Sequence, residues 1–405
     1  MNTRMNRSRL NIGVYHLREY ARTEQHVRDL SDCGIDFVIC LDNDRPTLDL
    51  LAKYGVGAIV SGIVPGWWGG DGNNAGTMAE RNPISCYDEC AASFEDHPAV
   101  WGIDIGDEPS ALDFPHYGRV YDRVNMLFPK QFPYLNLYPN YASVAENNAQ
   151  QTVNQLGTAT YAEHIERYCQ CVPADYLCYD FYLYAINVPK AYENLRIVSD
   201  ACLRTGRSMW IVLQGNSNRA AEWITENGLR FQAYTAMAFG AENITWACYT
   251  AGWWHNQVLD EKGEKTEQYD KLKTVNGEIR TIGEEYMKYR RVSTHFVGFE
   301  GTDWLNGVGQ ESHPALSTGV FAAVTADDPI VVGEMVSRTG DSRALMIASA
   351  GDPYDKAPGD VTVTFRCCGR KITAIGGNGK LPVEQCDGRY KVTIPKNGGV
   401  LITAE

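Results

Sequence analysis

The chain has 405 residues, a formal net charge of −13 and 11% aromatic residues, among them 23 Tyr and 9 Trp. Its length exceeds one small domain and fits a barrel of about 250 to 300 residues with a second module attached. Acidity on this scale disfavours nucleic acid and anionic membrane as partners, because the average surface repels both. No apolar run approaches the ~20 residues of a membrane span, and the opening ten residues carry no apolar core of a secretory signal, so a cytoplasmic chain is expected. The 12 Cys are then expected as reduced thiols. Cys40, Cys178 and Cys248 sit in apolar runs as small hydrophobes, and the spacings Cys86/Cys90, Cys169/Cys171 and Cys367/Cys368 do not make zinc knuckles, so no metal and no cofactor is expected.

In chain order, Leu10 to Leu17 reads as a first strand, and Thr23 to Cys33 as an amphipathic helix with a Thr cap and Glu24 in its first turn. Gly34 to Asp42 is a second strand, followed by a helix around Thr47 to Tyr54. Gly57 to Val64 is a third, followed by a Gly/Trp/Asn-rich loop from Pro65 to Gly76 and a helix from Ser85 to Glu95. The fourth strand is the apolar run Ala99 to Ile105, which ends at once in Gly106-Asp107-Glu108-Pro109. Ser110 to Phe128 is a helix, and Tyr134 to Tyr138 a fifth strand leading into a long Asn/Tyr/Gln-rich loop. Helix Tyr161 to Cys171, strand Asp175 to Tyr182, helix Lys190 to Thr205 and strand Ser208 to Gln214 follow. Leu229 to Phe239 is a helix, Asn243 to Thr250 the eighth strand and Tyr269 to Tyr289 a closing helix.

Eight strands alternating with helices ahead of His295 predict a (β/α)8 barrel over residues 1–295 rather than an open sheet. Beyond it the helical period disappears. Short alternating runs (Ile330 to Ser337, Ala344 to Ala348, Val361 to Cys367, Tyr390 to Ile394, Gly399 to Thr403) separated by Gly, Pro, Asn and Asp predict a small antiparallel β-sandwich over residues 296–405. Nothing in that stretch chooses between a structural lid, a dimer surface and a carbohydrate-binding module, so the oligomeric state, a homo-oligomer included, is left open.

In a parallel barrel the catalytic groups come from the carboxyl ends of several strands. Those ends carry His16; Asp42 and Asp44; Trp67 and Trp68; Asp107 and Glu108; Asn136 and Tyr138; Asp180 and Tyr182; Gln214 and Asn216; and Tyr249, Trp253, Trp254 and His255. Carboxylates, amides and aromatic rings at one rim suit a carbohydrate: acceptors for hydroxyls, ring faces for stacking and acids for a leaving group. Each has a structural alternative. Asp107 with Glu108, and Asp42 with Asp44, would serve as helix caps, His16 as a hydrogen-bonded rim residue, and the Trp253-Trp254 pair as an apolar plug. Trp67 and Trp68 beside Gly69-Gly70 favour a ligand-facing role. Asp180, in a strand otherwise composed for burial, must face the rim or find a partner.

Glu108 closing the fourth strand, the aromatic pair closing the eighth and the trailing sandwich resemble the clan A glycoside hydrolases. Asp107-Glu108-Pro109, Tyr179-Asp180-Phe181-Tyr182, Gln214 and the run Ala236 to Ala241 are similar to a loosely characterised group of glycosidase-like barrels. The resemblance implies an acid/base role for Glu108 and a sugar contact for Asp107, where clan A enzymes commonly carry an Asn. It also implies a nucleophilic Glu at the end of strand seven, where this chain has Gln214. Glu222 or Glu226 would have to fold back to replace it. Three mechanisms follow: Glu108 as acid with Asp180 as an inverting base; Asp180 orienting a substrate acetamido group; or sugar binding without cleavage. The expected function is hydrolysis of a small glycoside or oligosaccharide, exo rather than endo, with Glu108, Asp180 and Asp107 as the acidic residues. His16, Asp42, Trp67, Trp68, Asn136, Tyr138, Tyr182, Gln214, Tyr249, Trp253 and Trp254 are expected around the sugar. The rivals are a degenerate carbohydrate-binding barrel, a barrel lyase or isomerase acting on a sugar acid, and a metal-dependent barrel built on His16, Asp42 and His255.

Overall fold

The computed structural model describes residues 4–68, 74–143, 155–299, 316–354, 357 and 359–405; Gly69, Gly70 and residues 144–154 of the fifth loop lie outside them. Strands β1 (Asn11–Tyr15), β2 (Phe37–Asp42), β3 (Gly57–Ser61), β4 (Val100–Asp107), β5 (Phe132–Asn136), β6 (Tyr176–Phe181), β7 (Ser208–Gln214) and β8 (Ala241–Ala247) form one parallel sheet. Their order, β5-β4-β3-β2-β1-β8-β7-β6, is that of an eight-stranded barrel. Around them run α1 (Glu24–Asp32), α2 (Arg45–Lys53), α3 (Met78–Arg81), α4 (Ser85–Ala92), α5 (Phe114–Leu127), α6 (Tyr161–Cys171), α7 (Val188–Thr205), α8 (Glu226–Ala238) and α9 (Glu267–Tyr286). Thr23 caps α1 as its spacing predicts, and Thr160 with Glu163 forms a capping box on α6.

The barrel closes between β5 and β6, where the ladder is short. Leu137 bridges Tyr179, and its N–H donates to the Cys178 carbonyl at 2.9 Å. Below that bridge the Tyr176 hydroxyl stands between the strands, donating to Pro133 O at 2.8 Å and accepting from Leu135 N–H at 3.0 Å. A side chain thus completes the ladder beside a proline that has no N–H to give. The amino-end mouth is filled by Phe132, Tyr176 and Trp210, with the Arg7 guanidinium over all three rings.

Antiparallel structure begins at Tyr289, where the composition still reads as helix. The strands are β9 (Tyr289–Val297), β10 (Phe321–Ala326), β11 (Ile330–Ser337), β12 (Arg343–Ser349), β13 (Asp360–Cys367), β14 (Ile372–Gly376), β15 (Gly379–Leu381), β16 (Glu384–Cys386), β17 (Arg389–Pro395) and β18 (Gly399–Ala404). They form a six-stranded sheet, β15-β14-β18-β12-β11-β9, and a four-stranded sheet, β10-β13-β17-β16. Val332, Ile347, Val363, Phe365 and Ile402 lie in the core between the two sheets. The other side of the six-stranded sheet, with Val331, Met335, Met346 and Leu401, is continuous with the barrel core. Gly333 on β11 lies so close to the end of α8 that a Cβ there would stand 2.2 Å from Ala238 O. Ion pairs Arg291–Asp200 (2.7 Å) and Arg338–Glu242 tie the sandwich to the barrel. No helix among the described residues is long and apolar enough to cross a membrane.

Candidate active site

Alternation along β5 and β6 sends Phe132, Tyr134 and Asn136, and Tyr176, Cys178 and Asp180, into the barrel, so polarity rises toward the carboxyl end. On β4 the inward residue is Asp104, whose carboxylate takes the Ser61 hydroxyl at 2.7 Å. A two-residue period would next turn Gly106 inward and Asp107 outward. The register with β5 instead slips between Asp104, opposite Tyr134, and Gly106, opposite Leu135, which brings Asp107 level with Asn136. This bulge needs Gly106: its φ is +147°, and a Cβ would stand 2.2 Å from the Tyr117 hydroxyl. Glu108 follows with φ +43° and its N–H on Asn136 O at 2.9 Å. A left-handed non-glycine residue at the tip of a barrel strand marks backbone held for a purpose other than its own comfort.

Asn136 is the brace of the cluster. Its two amide hydrogens go to Asp107 Oδ1 (3.1 Å) and Asp180 Oδ1 (2.8 Å), and its oxygen lies 3.4 Å from the Cys178 thiol. With both donors taken and 3% of its surface exposed, it holds the two acids together. Asp180 also shares a hydrogen bond with Glu108. The Trp68 indole N–H reaches Glu108 Oε2 at 3.2 Å.

The electrostatics follow from burial and from the acids standing close together. Asp180 is pushed up to about 7 by desolvation and the charge of Asp107, against the pull of its hydrogen bonds to Asn136 and Glu108. Asp107 is held well above the usual carboxylate range by burial, by Glu108 and by Asp104. Asp104 is raised to about 6 by burial, partly offset by Ser61 and the Gly106 N–H. His16 is lowered to about 4 by burial and by Arg18, so it is neutral at neutral pH.

Glu108 and Asp180 form part of the wall of a cavity of about 770 Å³, together with Tyr138, Tyr182 and Trp254. Tyr141 and Tyr161 join them from the fifth loop and the start of α6; the sequence offered no period by which to single them out. Trp253 stands one layer back, edge-on to His16 at 5.6 Å and Tyr15 at 5.7 Å.

The remaining expected contacts are elsewhere. The Trp67 ring lies under the Arg81 guanidinium, and its carbonyl rather than its ring serves β4, accepting from Asp107 N–H at 2.8 Å. Asp42 is exposed and paired with Arg22 at 2.8 Å, and Asp44 caps α2. Tyr249 is fully buried, with Cys33, Tyr269 and Asp29 as its neighbours behind β8. Gln214 is also fully buried; its oxygen accepts from Tyr184 N–H at 2.8 Å and its amide donates to Asn216 O at 3.0 Å. Glu222 pairs with Arg219 and Glu226 with Arg230, so neither folds back to replace it. Among the described residues no group of three or more His, Cys, Asp or Glu could hold a metal ion; His255 is exposed and its backbone bridges to Ser217.

A parallel barrel with acids at its carboxyl end and a β-sandwich packed on its flank defines the class of fold. No family model matches the sequence, and no curated protein matches it in sequence. Among solved structures, a cycloisomaltooligosaccharide glucanotransferase from Paenibacillus sp., complexed with cycloisomaltoheptaose, superposes with a TM-score of 0.57 at 8% identity, covering 98% of this chain and 85% of its own. A family 51 α-L-arabinofuranosidase from Bifidobacterium longum covers 98% of this chain and 96% of its own at 10% identity, with a TM-score of 0.45. An endoglucanase from Pseudomonas stutzeri covers 66% and 94% at 14% identity, with a TM-score of 0.43. The barrel followed by a sandwich that the sequence predicts is thus a fold shared with the first of these structures.

Proposed function

We propose that this chain is a glycoside hydrolase that cleaves a small glycoside or oligosaccharide in the cavity at the carboxyl end of the barrel, with Glu108 and Asp180 as its reacting acids. The observation that carries the reading is a hydrogen-bonded pair of carboxyl groups in the wall of a cavity otherwise rich in Tyr, with Lys190 and Glu193 also on its lining. Such a pair is costly to bury unless one member keeps a proton near neutral pH, and a retained proton is what a leaving glycosidic oxygen needs.

The sequence assigns that proton to Glu108. Burial and the Asp107 charge outweigh the hydrogen bonds to Asn136 and Glu108 and raise Asp180 to about 7, which favours Asp180 as its holder. In this assignment Asp180 protonates the leaving oxygen as the glycosidic bond breaks, and the Glu108 carboxylate bonds to the anomeric carbon. Water then displaces Glu108, giving its proton to Asp180 and its hydroxyl to the sugar. An inverting pair holds its water across about 6.5 to 9.5 Å and a retaining pair stands about 5 to 5.5 Å apart; a hydrogen-bonded pair is nearer the second, so retention is expected. Asp107 acts from beneath, by keeping the Asp180 proton in place. Gln214, with its side-chain oxygen and nitrogen both hydrogen-bonded within the chain, has no part in the chemistry.

A second reading, a barrel that binds sugar without cleaving it, is favoured by the amide at position 214. The deciding experiment is turnover of a panel of α and β aryl glycosides by wild type, Glu108→Gln and Asp180→Asn, with the anomer of the first product read by NMR. Turnover lost in both variants and a retained anomer support the hydrolase; sugar binding with no turnover of any glycoside by wild type supports the second reading.

A further inference from the structure

A second cavity, of about 600 Å³, opens on the same face of the molecule between the loop that follows β7 and the Pro353-Tyr354 loop that follows β12. It is lined by Tyr184, Trp223 and Tyr354. Among the described residues only two aromatic side chains are more than a third exposed, Trp68 at 52% and Tyr354 at 54%. Trp68 stands at the acid pair; Tyr354 stands here. A singly exposed ring is ordinary, but this one is held in place: Tyr184 meets it edge-on at 5.2 Å and 85°, and the Tyr184 hydroxyl donates to Pro353 O at 3.3 Å. Lys271 lies 5.5 Å from the Trp223 ring.

The charges in the cavity are paired with one another, Arg219 with Glu222 at 3.0 Å and Lys271 with Glu267. Paired charges present donors and acceptors without a net field, so neither an anionic nor a cationic ligand is favoured. Ring faces beside polar groups of balanced charge fit a molecule with apolar CH faces and many hydroxyls. The two cavities share a wall: Tyr182 lines the first and Tyr184 the second, on one short segment after β6.

We propose that this cavity binds a neutral glycan, the outer sugar residues of a chain whose terminal unit occupies the first cavity. The proposal rests on the reading of the first cavity as a glycosidase site for the identity of the chain, and on Tyr184, Trp223 and Tyr354 for its binding. It gives the sandwich a function at the catalytic face through a single loop, and it gives Glu222 a place in sugar binding instead of catalysis.

The test is native affinity electrophoresis of the full chain carrying Asp180→Asn, so that the polysaccharide is not consumed, in gels containing dextran, mixed-linkage β-glucan, xylan or galactomannan. Retardation by at least one polysaccharide is expected, weakened about fivefold or more by Tyr354→Ala and kept by Tyr354→Phe, which preserves the ring. Because Tyr354 is half exposed, its truncation removes little packing; Trp223→Ala is the second variant. Retardation by none of the four, or retardation that both alanine variants leave unchanged, overturns the proposal. Retardation that depends on Tyr354 in a chain that turns over no aryl glycoside keeps this cavity and removes the hydrolase. Turnover without such retardation does the reverse.

Discussion

Two buried carboxyl groups in this molecule sit in opposite surroundings. Glu334 on β11 is fully buried and receives the Ser317 N–H (2.9 Å), the Ser317 hydroxyl (2.8 Å), the Thr318 N–H (2.6 Å) and the Ser293 hydroxyl (2.8 Å). Burial raises it, but the bonds from Thr318 and Ser317 outweigh burial and hold it at about 2. Asp180 on β6, nearly as buried, has the Asn136 amide and a second acid for company, and stands at about 7. Burial alone therefore does not make a proton donor. A carboxyl surrounded by donors becomes a structural anion, and one surrounded by other acids keeps its proton and can give it away.

The contrast breaks first through activity. Asp180→Asn and Glu108→Gln are each expected to lower kcat/KM for an aryl glycoside by about 10³-fold, while the melting temperature of Asp180→Asn stays level or rises because one member of a repelling cluster is removed. Glu334→Gln should do the converse. It leaves donors aimed at a weaker acceptor and is expected to cost about 3 kcal/mol in urea unfolding, with kcat/KM unchanged within twofold.

A third substitution sharpens the same contrast at the end of β7. Gln214→Glu places a carboxylate oxygen against Asn216 O, where an amide now donates. It is expected to destabilise by about 2 kcal/mol and to give no gain in turnover; a gain would mean that this position can serve as a nucleophile after all.

The smallest effect is in pH dependence, where the two acids act in opposite senses. Glu334 lies below its ordinary value of 4.5, so its stabilisation is complete above that pH and is lost as pH falls toward 2. Asp180 lies above its ordinary value of 3.8, so the folded state holds a proton that the unfolded chain has released; stability from this group is complete below 3.8 and is lost as pH rises through 7. Melting temperatures measured across pH should therefore lose their acid-side fall in Glu334→Gln. In Asp180→Asn the decline between pH 3.8 and 7 should flatten; an unchanged decline would remove Asp180 as the proton holder.

Much of this was legible in the residues. Repeating apolar runs, with the Thr23 and Asp44 caps, marked the helices, because caps and periodicity act within a few residues. The sandwich strands β11, β12, β13, β17 and β18 are legible from alternation, whereas β10, β14, β15 and β16 are not, and β9 is hidden because Tyr289 to Val297 continues the polar composition of the helix before it. Glu108 and Asp180 stood out as acids ending apolar strands. Tyr141, the bracing role of Asn136 and the engaged amide of Gln214 did not, because each depends on a partner distant in sequence.

By itself the sequence determined the eight barrel strands and the main helices between them, that they alternate eight times, and that acids and aromatic rings collect at one set of strand ends; these are local properties of side-chain period and capping. Only the tertiary structure decided which acids meet. The β4 bulge at Gly106 turned Asp107 inward, closure of β5 against β6 brought Asn136 to Asp180, and packing against the sandwich set Tyr354 beside Tyr184. A one-residue change of register reverses the face on which a side chain stands, and no period in the sequence carries that information.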